Sequence, residues 1–145
     1  MILRSEGSTM KQELVKNWMS QDIRVIPPQT PLIEIQSLML HEYIRHLLVM
    51  ANNKLIGIVS KGDLAIAVSW SLSDVQNGTL QINAEDIMTF DPITISHTAT
   101  IGEAASLMLK RKISGLPVVT EQGRIVGIIT ENDIFRMVVE AWENT

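Results

Sequence analysis

The chain contains no cysteine. Disulfides, thiolate metal ligation and a cysteine nucleophile are therefore excluded, and the composition fits a reducing compartment, so the cytoplasm is the expected location. Aromatic residues are only 4% and charged residues 19% of the 145 residues, which argues against a surface that stacks many bases and against disorder. The formal net charge is −4, without a dense basic run, so the electrostatic footprint of a duplex nucleic-acid partner is missing. No apolar run approaches the roughly 20 residues of a membrane-spanning helix, and the opening "MILRSEGSTM" lacks a secretion core; no membrane partner is expected. Also missing are G-x-S-x-G, Walker A, G-x-G-x-x-G and H-E-x-x-H patterns, so neither nucleophilic catalysis nor a P-loop is supported. The histidines His41, His46 and His97 fall on different segments without metal-ligand spacing, so no metal site is expected.

What is present is an internal repeat, and 46% apolar residues to build its core. "MSQDIRVI" (19–26) matches "MTFDPITI" (88–95), and "EIQSLMLHEYI" (34–44) matches "EAASLMLKRKI" (103–113), both offset by 69. One further residue enters between "VMANNKLIGI" (49–58) and "VVTEQGRIVGI" (118–128), where "ANN" and "TEQG" read as hairpin turns.

Each copy parses as β-α-β-β-α. A short strand (23–26; 93–95) precedes a helix whose apolar positions, Ile35, Leu38, Met39 and Ala104, Leu107, Met108, follow three-four spacing. "HLLVM" with "KLIGIV", and "LPVV" with "RIVGII", read as strand pairs. A second helix starts near Lys61 or Glu131 and carries Leu64, Ala67 and Val68, or Ile134 and Val138. The expected fold is α/β in the α+β sense, with two β-α-β-β-α repeats packed about a pseudo-twofold axis. The expected boundaries are a flexible N-terminus over 1–13, repeats over 14–75 and 84–142, and a linker over 76–83.

Each copy ends its strands in G-I-[VI]-[ST]-x-x-D, "GIVSKGD" (57–63) and "GIITEND" (127–133). Ser60 or Thr130 can cap a helix, with Asp63 or Asp133 three residues on favouring its positive end. The same groups can hold a ligand, since unpaired donors at a helix start attract anions and a carboxylate accepts from hydroxyl groups. Gly57 and Gly127 leave room for another backbone or a flat ligand. Both readings stay open on the residues alone.

A strand closing in this motif twice, some 70 residues apart, with "M[ST]" before the first strand, the "SLML" helix and "SGLPVV", resembles the tandem cystathionine-β-synthase (CBS) domain pair, or Bateman module. The resemblance covers about residues 14–142 and implies adenosine-nucleotide pockets in the cleft between the repeats. The implied second pocket comprises Met88, Pro92, Ile93, Ser114, Gly115, Leu116, Pro117, Thr130 and Asp133. The implied first pocket comprises Met19, Ile23, Arg24, Arg45, His46, Leu47, Ser60 and Asp63. The Asp carboxylates would accept from ribose hydroxyls and backbone groups would read the purine edge. Arg45, His46 and Lys61 are phosphate candidates; a solvated pair on a strand edge is the alternative for Arg45 and His46. Leu48 stands where the second copy has Pro117, so the second pocket is expected to be the tighter.

The function so implied is a non-catalytic sensor that binds AMP, ADP, ATP or a related adenosyl ligand such as NAD, S-adenosylmethionine or a dinucleotide, and signals occupancy to a regulated protein. A flat homodimer through the helices at 64–72 and 134–142 is expected, with Trp18, Trp70 and Trp142 as packing or dimer-face residues on helices. The alternatives are a structural adaptor with empty pockets and, more distantly, a nucleotide enzyme.

Overall fold

A computed structural model describes residues 12–74 and 81–144. Residues 1–11 of the expected flexible N-terminus and 76–80 of the expected linker lie outside the described residues. The chain divides into two compact units, Arg24–Pro92 and, from two separated stretches, Met1–Ile23 with Ile93–Thr145.

In the unit over 24–92, strand β1 (Val25–Ile26) runs parallel to β2 (His46–Ala51), which pairs antiparallel with β3 (Lys54–Ser60). β1 is shorter than the expected 23–26 and is followed by Pro27, which has no N–H to extend the ladder. The β2–β3 turn places Asn52 and Asn53 at φ 53° and 63°, left-handed values that asparagine tolerates and a tight hairpin requires. Helices α1 (Leu32–His41) and α2 (Lys61–Asp74) bury Ile35, Met39, Leu64 and Ala67 against Leu47, Val49 and Val59. Residues 47, 49 and 59 join this core from one face of the sheet, as period-two alternation in a strand dictates, and Leu48 on the other face is also fully buried.

Two further elements complete this unit, α3 (Ala84–Ile87) and β4 (Thr89–Phe90). In the sequence this stretch carries the "M[ST]" that comes before the first strand of the second repeat. β4 pairs antiparallel with β3, Gly57 opposite Phe90 and Ile58 opposite Thr89, which covers the edge of the first repeat's sheet.

The other unit repeats the plan: β5 (Ile95–Ser96) parallel to β6 (Gly115–Val119), β7 (Ile125–Thr130) antiparallel to β6, and helices α4 (Ile101–Arg111) and α5 (Glu131–Glu143). β5 is displaced from the expected 93–95, because the parallel partners are Ile95 with Val118 and Ser96 with Val119. Ile101, Ala104, Met108, Leu116, Val118, Ile129 and Met137 form the core. Thr100 caps α4: its Oγ1 accepts from Glu103 N and Glu103 Oε2 accepts from Thr100 N, each at 3.1 Å. "KRK" closes α4, with Lys110 and Arg111 in its last turn and Lys112 at the C-cap, as the helix dipole favours.

The N-terminal segment docks on this second sheet. Ser20 and Ile128 exchange N–H···O bonds of 2.9 Å, at positions that correspond through the repeat to Thr89 and Ile58. Leu14 bridges Thr100 just as Asn83 bridges Pro31, and Ile101 N donates to Glu13 O just as Leu32 N donates to Ile82 O, both at 2.8 Å. Each unit is thus completed by the segment that comes before the other repeat's first strand in sequence. Trp18, expected on a helix, follows only a 3₁₀ turn over Val15–Asn17.

Candidate functional site

The two [ST]-x-x-D motifs lie at matching strand-to-helix junctions. Ser60 ends β3 and Asp63 lies in the first turn of α2; Thr130 ends β7 and Asp133 lies in the first turn of α5. Asp63 Oδ2 accepts from Ser60 N at 2.8 Å, and Ser60 Oγ accepts from Asp63 N at 3.1 Å. Asp133 Oδ2 accepts from Thr130 N at 2.8 Å and from the Thr130 hydroxyl at 3.1 Å. Both carboxylates therefore serve as N-terminal caps, with a charged acceptor on an otherwise orphan N–H.

The capping geometry does not consume the two carboxylates equally. Asp133 Oδ1 accepts from Arg136 Nη2 at 3.2 Å, whereas among the described residues no donor reaches Asp63 Oδ1. The reason is one residue: the position three beyond Asp63 is Ile66. Arg136 was not among the residues singled out from sequence, although its i,i+3 spacing from Asp133 is visible there. Its Nη2 also donates to Trp18 O at 3.0 Å, its guanidinium lies 5.5 Å from the Trp18 ring centroid, and Trp18 Nε1 donates to Glu13 Oε2 at 3.0 Å.

The glycines of the motif have a steric role. A Cβ on Gly127 would stand 2.6 Å from Ser20 O and 2.7 Å from Met19 Sδ, and one on Gly57 would overlap the Met88 side chain, 2.8 Å from its Cγ. It is the neighbouring segment's approach that glycine admits at both positions.

In the unit over 24–92 the structure gathers Arg45, His46, Ser60, Lys61 and Asp63. His46 is opposite Ser60 in the ladder and Lys61 N donates to Arg45 O at 2.9 Å. Arg24 is in the same unit, its guanidinium paired with Glu42 at 2.6 Å. In the other unit Gly115 is opposite Thr130 and Glu131 N donates to Ser114 O at 3.0 Å, which brings Ser114, Gly115, Thr130 and Asp133 together. Leu47 and Leu116 put their side chains into the two cores, so only their backbone faces elsewhere. Pro117 is fully buried and Ile93 packs on the second core. Met88 packs against Gly57 in the unit that holds Asp63, and Pro92 is the last residue of that unit; Met19 and Ile23 belong to the unit that holds Asp133.

A shallow, largely apolar groove of about 700 Å³ beside α4, bordered by Ile95, Gly102, Leu107 and Lys110, includes none of these residues. Among the described residues no group of three or more His, Asp or Glu could hold a metal ion, and no helix is long and apolar enough to cross a membrane.

The pattern of the CBS domain matches residues 15–69 and 84–140. An inosine-5'-monophosphate dehydrogenase of Korarchaeum cryptofilum is 35% identical over 120 residues, 83% of this chain and 23% of that protein. An L-aspartate semialdehyde sulfurtransferase of Methanocaldococcus jannaschii is 31% identical over 137 residues, 92% of this chain and 25% of that protein. The chain thus spans about a quarter of the length of these relatives. Among solved structures, CBSX2 in complex with AMP, a protein of Arabidopsis thaliana, shares 27% identity with a TM-score of 0.74 over 88% of this chain and 97% of that one. The CBS domain pair of protein MJ0100, in complex with methylthioadenosine and S-adenosyl-L-methionine, shares 31% identity with a TM-score of 0.75 over 88% and 96%. With both repeats matched across most of its length, this chain belongs to the CBS domain family as a tandem CBS pair.

Proposed function

We propose that the chain is a non-catalytic sensor that binds an adenine nucleotide or related adenosyl ligand through its [ST]-x-x-D motifs and passes occupancy to a partner protein. The observation that carries this reading is the matched seating of Asp63 and Asp133. Each fixes one carboxylate oxygen on its capping N–H at 2.8 Å, which preorients the second oxygen toward the hydroxyls of a ribose; at Asp133 that second oxygen is held by the exposed Arg136 guanidinium. The adenosyl ligands held by similar CBS pairs support the chemical class.

In this reading Ser60 and Thr130 hold the carboxylates in place, Arg45, His46 and Lys61 supply positive charge toward phosphates, and backbone groups around Ser114–Pro117 and Ile23–Arg24 meet the base. The catalytic names of the longer relatives belong to proteins of which this chain matches about a quarter, and the chain itself is proposed to act in the cytoplasm as a homodimer. The exposed apolar side chains Ile66 and Trp70 on α2, and Phe135 and Val139 on α5, support helix-mediated pairing.

A structural adaptor with empty pockets is the second reading, favoured by the fact that capping alone satisfies the Asp63 and Asp133 oxygens that bond the backbone. Thermal unfolding with millimolar AMP, ADP, ATP, NAD or S-adenosylmethionine separates the two. A ligand at 100 times its dissociation constant adds about 2.7 kcal/mol of stability. A rise of several degrees is expected for at least one ligand; an unmoved transition with all of them would leave the adaptor.

A further inference from the structure

A carboxylate offers about four acceptor positions. At Asp133 three are in use: Thr130 N and Oγ1 on Oδ2, and Arg136 Nη2 on Oδ1. At Asp63 the only donor among the described residues is Ser60 N. Two vicinal hydroxyls need two acceptor positions, so Asp63 can receive both as it stands, whereas Asp133 has one position left and can offer both positions of Oδ1, the oxygen not tied to the capping N–H, only if Arg136 withdraws. Arg136 is more than half exposed, at 55%, so its pairing with Asp133 is weak enough to be displaced. That pairing also orients Arg136 toward Trp18, whose carbonyl it bonds at 3.0 Å and whose ring it covers. Trp18 in turn binds Glu13, within the segment that Ser20 pairs to Ile128.

We propose that Arg136 is a positioning residue that competes with a ligand's ribose for Asp133 and thereby ties occupancy of the second motif to loosening of the docked segment 13–20. The inference rests on the reading of the motifs as ribose sites. Because coupling is reciprocal, whatever the ligand takes from the Arg136–Asp133 pair is lost to the docked segment, and a firmly docked segment lowers ligand affinity by the same factor. The motif of Asp63, with Ile66 in place of the arginine, has no such link.

The test uses AMP and 2′-deoxy-AMP as probes, with calorimetry on Asp63→Ala and on Asp63→Ala/Arg136→Ala, so that only the second motif is read. Removal of Arg136 should tighten AMP by about two- to fivefold, the factor of an exposed ion pair, and raise the preference for ribose over deoxyribose by a similar factor. Arg136→Lys, which keeps a charge near Asp133, should restore part of the weaker binding. A merely structural role of Arg136 would move both ligands alike. Hydrogen exchange on the chain without the Asp63 change gives the second readout: saturating AMP should speed exchange at Val15, Lys16 and Ser20 in the wild type, and Arg136→Ala should show the faster exchange already without ligand and no further change with it. AMP binding with an unchanged ribose preference and unmoved exchange would overturn the proposal and leave the nucleotide reading standing; no AMP binding to the wild type at millimolar concentration would overturn both.

Discussion

Gly127 passes so close to Ser20 that a single added methyl carbon would stand 2.6 Å from the Ser20 carbonyl oxygen. The contact is backbone to backbone, between paired chains whose N–H···O bonds measure 2.9 Å, so neither side can yield without breaking that pairing. Gly127→Ala should therefore destabilise the fold by about 1–3 kcal/mol, as overpacking does. At Gly57 the obstacle is the Met88 side chain, which can change rotamer, so Gly57→Ala should cost less. Denaturant unfolding of the two variants checks the order; a Gly57 variant less stable than the Gly127 variant would contradict the steric account.

The capping box of α4 gives a second expectation. Thr100→Ala removes the acceptor for Glu103 N and should cost about 0.5–2 kcal/mol, read as a melting temperature lower by roughly 2–4 °C per kcal/mol. No ligand dependence should accompany it, because Thr100 is in neither motif. A change in nucleotide affinity without a change in stability would show that this helix start serves the site.

Pairing through the helices predicts a change of assembly state without unfolding. Phe135→Glu and Val139→Glu place charge on exposed positions of α5, so the fold should survive. In sedimentation equilibrium the wild type should be a dimer and the double variant a monomer. A wild type that is monomeric at tens of micromolar, or a double variant that stays dimeric, would remove this face from consideration.

Much of the fold was legible because the repeat printed each element twice. The hairpin turns at Asn52–Asn53 and around Gly123, and the helix starts at Lys61 and Glu131, lie where the offset of 69 to 70 places them. The partner of each "M[ST]" segment was not legible. Met19–Ser20 and Met88–Thr89 come before the first strands of two repeats with the same plan, so local pattern fits either sheet, and only the tertiary arrangement decides that each covers the other repeat's edge. In the sequence the motif glycines offer space for a backbone or a ligand, and the structure fills that space with the exchanged segment. The sequence ranks the pockets by Leu48 against Pro117 and by Arg45–His46 against Ser114–Gly115, while the acceptor positions left open at Asp63 and taken up at Asp133 depend on Arg136. Its helical spacing from Asp133 can be read in the sequence, but its contact with Trp18, 118 positions away, cannot.

Asp133→Asn addresses capping by itself. If the side chain only caps α5, the amide oxygen keeps a bond from Thr130 N and the loss should be at most about 1 kcal/mol, with no ligand effect. If it also holds a ribose, affinity at the second motif should fall while stability changes by the same small amount. Parallel unfolding and calorimetric titrations separate these outcomes.

The central claim, that the duplicated [ST]-x-x-D motif is a ribose site, is tested most directly by titrating the wild-type chain with AMP and with 2′-deoxy-AMP in the calorimeter. Loss of one hydroxyl that a preoriented carboxylate is placed to accept should weaken binding by roughly 1–3 kcal/mol, or about 5- to 150-fold. Equal affinity for the two nucleotides would contradict the claim and leave Asp63 and Asp133 as helix caps.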